Sequence, residues 1–252
     1  MFELIETRPL LDVQEAEYRR LLGYPKNHAL DGRARELAEA ARTWFSTNGR
    51  PWIYARETSA LELKDGKLLI GGHEFSSRRL RDSFVEAAAR SAIVVAVSAG
   101  KECEETARQL WLDSKPDEYF FLEIFGSAVV EHLIALASGR ICAWADQRQM
   151  AVLPHFSPGY SGWDVAEQVK LWNLISQDNR RSISGELDVL DSGMLRPKKS
   201  LLAVFGVTRD VEKARRFSKL IPCENCLLPD CQYRRAAYRR APAQFEEIRR
   251  RG

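Results

Sequence analysis

The first third of the chain carries an apolar pattern with helical spacing, which then gives way to patterns typical of strands. Between residues 32 and 45, apolar side chains recur every three or four positions and share one face: Ala34, Leu37, Ala38, Ala41, Trp44 and Phe45. This spacing predicts a helix that packs through that face. The sequence Asn48-Gly49-Arg50-Pro51 that follows favours a turn.

Short apolar runs predict strands at residues 52–55, 61–64, 67–70, 92–97 and 200–207. Asp65-Gly66, between the second and third runs, is typical of a two-residue hairpin turn. Residues 92–97 are apolar at every position, which indicates a strand buried on both faces. Because strands and helices do not alternate strictly, we predict the α+β class, with a central, mainly antiparallel twisted sheet and flanking helices.

Helical spacing recurs in four later segments, at residues 76–89, 104–112, 117–138 and 165–175. Ser76 or Ser77 is a candidate N-cap for the first of these helices. In the third, the apolar stripe leaves Ser127 and Glu131, four residues apart, on a separate face. We therefore expect Glu131 to be available to a polar group.

A turn-forming sequence precedes the last of these helices. In Ser157-Pro158-Gly159-Tyr160, proline fixes its own φ and glycine removes a side chain, so a ligand can approach the main chain closely. Asp164 and Glu167 have the spacing of a capping box. The helix is expected to pack through one face formed by Val165, Val169, Trp172 and Ile175.

Composition and charge exclude several classes of protein. The 252 residues carry a formal net charge of +3 and an ordinary globular composition. The first six residues include acids where a signal peptide needs a basic start, and runs such as 92–97 are too short to span a bilayer. We therefore expect a cytoplasmic protein without a membrane partner. No Ser/His/Asp set, phosphate-binding glycine loop or His-Glu-x-x-His pattern supports a hydrolase or a kinase.

Three of the five cysteines, Cys223, Cys226 and Cys231, form a C-x2-C-x4-C array. In a reducing compartment such an array is more typical of a metal site than of disulfides. Three thiolates suit a zinc ion or an iron–sulfur cluster, and both usually take a fourth ligand, for which Cys103, Cys142 or a histidine is a candidate. The alternative is a set of free thiols in an irregular tail.

The positive charge is concentrated at the end of the chain, where residues 231–252 hold seven arginines. Residues 233–240 combine tyrosines with arginines, as nucleic-acid-binding segments do. Charge runs are more often solvated faces or contacts with acidic partners, so we expect no nucleic acid as a partner.

Three segments, in this order, resemble the activation domain of cobalamin-dependent methionine synthase, including its stand-alone relatives. They are residues 126–131, the Ser157–Tyr160 loop with its Gln-containing helix, and residues 191–200, whose acidic, Ser, Met, Pro and Ser positions lead into a strand. The resemblance covers most of residues 91–207. It implies a sheet-centred α+β fold and a loop that binds S-adenosylmethionine.

The resemblance implies a set of ligand-binding residues: Glu131, His155, Ser157, Gly159 and Tyr160. Glu131 matches a family glutamate that reaches the ligand's amino group or ribose hydroxyls, and Tyr160 would stack on the ligand or attract its sulfonium. His155 stands where the family has an arginine that grips the ligand's carboxylate, and histidine lacks the permanent charge and the fork. Either His155 does this more weakly, with help from Arg148 or Lys199, or the ligand differs.

The function implied by the resemblance is that of an accessory module. It would bind S-adenosylmethionine and assist the reductive methylation of a corrinoid, cobalamin, carried by a partner methyltransferase, with an electron donor as a further partner. The chain has no room for separate homocysteine, folate and cobalamin domains, so we do not expect complete methionine synthesis from it. The alternatives are an electron-transfer or metal-binding protein that uses the cysteine array, and a nucleic-acid-binding protein that uses the basic tail.

The sequence divides into three parts under this interpretation. Residues 1–90 form the helical and hairpin part of the same domain, residues 91–210 form the core with the ligand loop, and residues 211–252 form a tail rich in Cys and Arg.

Overall fold

A computed structural model describes residues 1–25, 28–177 and 185–218. In these residues the strands are β1 (Glu3–Glu6), β2 (Trp52–Thr58), β3 (Leu61–Lys64), β4 (Lys67–Ile70), β5 (His73–Phe75), β6 (Ser91–Ser98), β7 (Ala151–Val152), β8 (Asp188–Val189), β9 (Leu195–Arg196) and β10 (Ser200–Thr208). The helices are α1 (Glu15–Leu21), α2 (Gly32–Asn48), α3 (Arg78–Glu86), α4 (Lys101–Leu112), α5 (Pro116–Asp146), α6 (Gln168–Ser176) and α7 (Val211–Ser218). A 3-10 turn, Val165–Glu167, leads into α6.

The central sheet has five strands in the order β1-β2-β6-β10-β7, and every neighbouring pair is antiparallel. Strands from the first 90 residues, β1 and β2, therefore share a sheet with β6 and β10. The predicted α+β class with an antiparallel central sheet is confirmed. Two small sheets, β3-β4-β5 and β8-β9, lie outside it.

The sheet is covered on both faces, so β6 is buried at all eight positions. Ile93, Val95 and Val97 point into a core that includes side chains of α2 and α5, while Val94 and Ala96 point into a second core with α3 and α6. This sandwiching explains why the strand is apolar throughout, since alternate residues face opposite layers.

The sequence correctly predicted the hairpin turn at Asp65-Gly66 and Ser77 as a candidate N-cap of α3. Asp65 and Gly66 both have positive φ, 50° and 73°, as a two-residue turn of this kind requires. Ser77 is the cap residue, and its hydroxyl accepts the backbone N–H of Leu80 at 3.2 Å.

Helix α5 runs eight residues beyond its predicted end at 138, because Ile141 and Ala145 are still buried in the protein. It is long and apolar enough to cross a membrane by length and composition, and 56% of its most apolar window is buried. Core helices pass the same test, and α5 packs against β6, β7 and β10.

The predicted packing face of α6 is partly wrong. Ile175 is fully buried and Trp172 is partly buried against the same core, as predicted, but Val165 and Val169 are exposed, at 42% and 36%, and Leu171 and Leu174 complete the face. Val165 lies in the 3-10 turn before α6, and Val169 and Ile175 are six residues apart in an α-helix, which separates them by about 120° around its axis. One narrow face therefore cannot hold all four residues.

Candidate functional site

The Ser157–Tyr160 loop is fastened to the free edge of β10. After α5 the chain returns along this edge, where Phe156 and Val204 exchange two backbone hydrogen bonds of 2.8 and 2.9 Å. The Ser157 hydroxyl then donates to the Leu202 carbonyl oxygen at 2.7 Å, and Ser157 is only 1% exposed. The loop therefore starts from a fixed point on the central sheet.

The loop closes through its own main chain. The N–H of Tyr160 donates to the carbonyl of Ser157, the N–H of Trp163 donates to Tyr160, and the N–H of Gly159 donates back to Trp163, at 2.9 to 3.0 Å. Gly159 has φ +94°, and the nearest atom to a Cβ placed there would be Val165 Cγ2, 3.8 Å away. Glycine is thus required by its backbone conformation, and the main chain beside it is uncrowded.

His155 and Tyr160, predicted as two separate ligand contacts, form one unit. His155 Nε2 lies 3.0 Å from the Tyr160 hydroxyl, within hydrogen-bond distance. The imidazole also packs against Phe205, with ring centroids 5.5 Å apart. Phe205 belongs to the core beneath α5, so the pair lies on the α5 side of the sheet.

A buried carboxylate supports the other end of the loop. Glu167 accepts the indole N–H of Trp163 at 2.8 Å and the backbone N–H of Ser76 at 3.0 Å, and it pairs with Lys170 at 2.8 Å. Burial favours the protonated acid, but these donors outweigh it and lower the pKa of Glu167. The Glu167 carboxylate therefore connects the loop to the segment that leads into α3.

Only half of the predicted capping box is present. Asp164 accepts the N–H of Ala166 at 2.9 Å, as a cap residue does. Glu167 turns towards Ser76 instead of returning to the main chain of Asp164, so the reciprocal bond predicted by the spacing is replaced by a tertiary contact.

Glu123, Ser127 and Glu131 form a polar stripe on α5, beside the start of β10. Glu131 lies exposed on α5, one turn beyond Ser127. Lys199 Nζ donates to the Ser127 hydroxyl at 2.9 Å and lies 3.2 Å from Glu123 Oε2, while Lys198 Nζ lies 3.0 Å from Glu123 Oε1. Glu123 is 8% exposed and thus serves two ammonium groups from inside the protein.

No role was predicted for Glu123, although the sequence around it contains an indication of one. It is the single acid in the apolar run Phe121-Leu122-Glu123-Ile124-Phe125, and a charge in a buried stretch usually has a partner. What the sequence does not show is that the partners are 75 and 76 residues away, at Lys198 and Lys199.

Gly126 lets the cluster of Glu123, Lys198 and Lys199 pack closely against Cys103. A Cβ on Gly126 would lie 2.9 Å from Cys103 Sγ and 3.2 Å from Lys199 Cγ, so glycine permits α4, α5 and Lys199 to meet. Burial, reinforced by the Glu123 carboxylate, raises the pKa of the Cys103 thiol to about 12. Cys103 is therefore a protonated packing residue at neutral pH.

The predicted metal ligands Cys223, Cys226 and Cys231 lie outside the described residues. Within residues 1–25, 28–177 and 185–218, no three His, Cys, Asp or Glu side chains are grouped as a metal site requires. Of the two other cysteines, Cys103 is buried and Cys142 is exposed. The array remains a prediction from spacing.

Among the described residues, two crevices lined in part by charged side chains lie away from the loop. One, of about 690 Å³, is bordered by α1 and α2 and lined in part by Tyr18, Arg35 and Arg42. The other, of about 220 Å³, is lined by charged side chains from α4 and the β8–β9 region. Neither is lined by a residue of the predicted ligand site.

Comparisons with known proteins support the fold. No protein-family model matches the sequence, and no curated protein matches it. Thirteen chains of solved structures match, among them the MetH reactivation domain bound to AdoHcy, with 11% identity and a TM-score of 0.52. The match covers 70% of this chain and 66%, just under two thirds, of that domain. At this identity the likeness shows a reactivation-domain-like fold, as the sequence resemblance implied.

Proposed function

We propose that this chain binds S-adenosylmethionine at the Ser157–Tyr160 loop and serves as the reactivation module of a corrinoid-dependent methyltransferase. The observation that carries the proposal is the His155–Tyr160 pair on an anchored, uncrowded loop. The same fold occurs in a domain solved with AdoHcy, which is S-adenosylmethionine without its transferable methyl group.

The path of the chain supports a site shared by the loop and Glu131. From Glu131 to the end of α5 the helix covers roughly 22 Å, at about 1.5 Å per residue. The chain then reverses along β10, at about 3.3 Å per residue, and regains the level of Glu131 after roughly seven residues. These distances support a site in which the Ser157–Tyr160 loop and the polar stripe of α5 face the same ligand.

Each residue then has a distinct task. The Tyr160 ring offers a π face to the sulfonium, and His155 orients its hydroxyl. Gly159 lets the ligand lie against the main chain, and Glu131 accepts hydrogen bonds from its amino group or ribose hydroxyls. Ser157, whose hydroxyl is already used by Leu202, acts as a positioning residue.

The chemistry of methyl transfer belongs to the partner. A reduced corrinoid bound to that protein would supply the nucleophile for the methyl group, with S-adenosylhomocysteine as the leaving group. This chain binds the donor, orients its methyl group and keeps water from the sulfonium. A corrinoid-carrying methyltransferase and an electron donor are therefore the proposed partners.

Anaerobic calorimetric titration of S-adenosylmethionine tests the proposal. Wild type is expected to bind, and Tyr160→Phe, which keeps the ring but loses the hydroxyl, is expected to bind about 3- to 10-fold more weakly. Tyr160→Ala is expected to lose most of the affinity, while Ser161→Ala, an exposed neighbour, should bind as wild type does. Absence of binding to folded wild type, or equal binding by Tyr160→Ala, would contradict the proposal.

A further inference from the structure

An S-adenosyl amino acid carries a carboxylate, and its recognition calls for a cation at the site. His155 is a poor source of that charge. Its Nε2 is within hydrogen-bond distance of the Tyr160 hydroxyl, its ring packs against Phe205, and it lacks the fork that an arginine offers to a carboxylate. The cation must therefore be sought among lysines and arginines near the loop.

We propose that Lys199, held by Ser127 and Glu123, binds the carboxylate of the S-adenosyl ligand. This assignment rests on the proposed function. Lys199 directly precedes β10, and its side chain lies against Ser127 on α5, one turn from Glu131. Three residues farther along β10, Leu202 holds the Ser157 hydroxyl. Lys199 thus sits between the two elements that carry the proposed ligand residues.

The hydrogen-bonding of Lys199 leaves it able to take an anion. An ammonium has three N–H donors; one goes to Ser127 at 2.9 Å and a second faces Glu123 at 3.2 Å. Glu123 also serves Lys198, so one carboxylate is shared by two ammonium groups. Glu104, the other acid of the cluster, accepts the backbone N–H of Lys198 and lies on that side. Lys199 keeps its third donor for the ligand.

Other cations near the loop are placed less well. Arg148 stacks on Trp144, 5.0 Å from the ring centroid, at the far end of α5. Arg79 lies 5.5 Å from the ring centroid of Phe156, which belongs to the core on the opposite face of the sheet from Phe205. Lys198 faces Tyr119 and Glu123 at the outer side of the cluster.

A ligand pair that differs only in the carboxylate tests the assignment. S-adenosylmethionine and decarboxylated S-adenosylmethionine are titrated into wild type, Lys199→Met, and the controls Lys198→Met and Arg79→Met. Wild type and both controls are expected to prefer the carboxylate ligand by tenfold or more. Lys199→Met should lose that preference, with its affinity for the decarboxylated ligand unchanged. Equal weakening of both ligands in Lys199→Met, or loss of the preference in Arg79→Met instead, would overturn the assignment.

A second variant keeps the assignment testable if Lys199→Met does not fold. His155→Gln removes the other candidate for the charge and leaves Lys199 and its partners in place, so it should keep a tenfold or greater preference for the carboxylate ligand, whatever its affinity for both. Loss of that preference in folded His155→Gln overturns the assignment, whereas failure of folded wild type to bind either ligand overturns the proposed function itself.

Discussion

At the scale of single residues, the candidate site depends on polar groups that are satisfied inside the protein. Ser157 uses its hydroxyl to hold the loop on β10, and Glu167 collects donors from Trp163, Ser76 and Lys170. Neither group is exposed, so both position the loop while Tyr160 stays accessible to a ligand.

Replacing Ser157 by alanine tests the anchor. The Leu202 carbonyl would lose its hydrogen bond in a buried place, which costs about 1–3 kcal/mol. We expect the free energy of unfolding, measured by urea denaturation, to fall by that amount. Ser161→Ala in the same loop is the control, because an exposed serine should change it by less than about 0.5 kcal/mol. Equal stabilities for the two variants would show that the anchor has no energetic role.

Glu167 should make stability depend on pH. Its pKa is lowered in the folded protein, so its contribution is present above the unfolded value, near 4.3, and is lost as the pH falls through the folded value. Glu167→Gln is expected to cost about 1–3 kcal/mol at pH 7, and the difference from wild type should narrow towards pH 3. Denaturant titrations at several pH values measure this.

The exposed Glu36 provides a matched control, since Glu36→Gln should change stability at pH 7 by less than about 0.5 kcal/mol. A constant gap between Glu167→Gln and wild type from pH 7 to pH 3 would show that the carboxylate's charge is not what stabilises the fold.

At the scale of elements, the short turns around α6 fix the shape of the loop region. The turn between β8 and β9 packs directly on the 3-10 turn, and a Cβ on Gly193 would lie 2.5 Å from the Val165 carbonyl oxygen. Gly193 also has φ +81°, so both its conformation and its surroundings call for glycine.

A pair of glycine variants separates these two effects. Gly72 has the same φ, +81°, but nothing within 4 Å of its Cβ position. Gly72→Ala should cost about 1–2 kcal/mol from backbone strain alone. Gly193→Ala should cost about 1–3 kcal/mol more, because the added methyl meets fixed main chain. Thermal unfolding compares them, and equal losses would contradict the packing of the β8–β9 turn on Val165.

Sequence patterns predicted the elements better than their contacts. The hairpin at Asp65-Gly66 and the doubly buried β6 follow from local spacing, and both are confirmed. The predicted face of α6 was wrong at Val165 and Val169, because Val165 lies in a 3-10 turn outside the helix and Val169 lies about 120° around the axis from Ile175. Likewise, the loop was recognisable from Pro158 and Gly159, but its attachment to Leu202 depends on a strand 45 residues away.

At the scale of the whole molecule, the candidate site joins the edge of the central sheet to the helix that covers it. Helix α5 packs on β6, β7 and β10, and the chain that leaves it carries His155 and Tyr160 back along β10. The ion pairs of Glu123 with Lys198 and Lys199 join α5 to the residues just before that strand. These side chains come from segments far apart in the sequence, so the site forms only when the domain is folded.

The cysteine array makes a separate prediction for the whole chain. Protein purified anaerobically should contain iron or zinc, and a variant with Cys223, Cys226 and Cys231 all replaced by serine should lose it. Ser161→Ala, which leaves all five cysteines and all four histidines in place, should retain the metal. Elemental analysis measures the iron and zinc content of each protein. Wild type free of both metals would mean that the three residues are ordinary thiols.

The Ser157–Tyr160 loop is the proposed binding site for an S-adenosyl ligand in this fold. The most direct measurement is a titration of S-adenosylhomocysteine into isotopically labelled protein, followed by amide chemical shifts. We predict the largest shifts at Gly159 and Tyr160, with further shifts around Glu131 and Lys199. Shifts confined to the crevice bordered by α1 and α2, or no shifts at saturating ligand, would contradict the account.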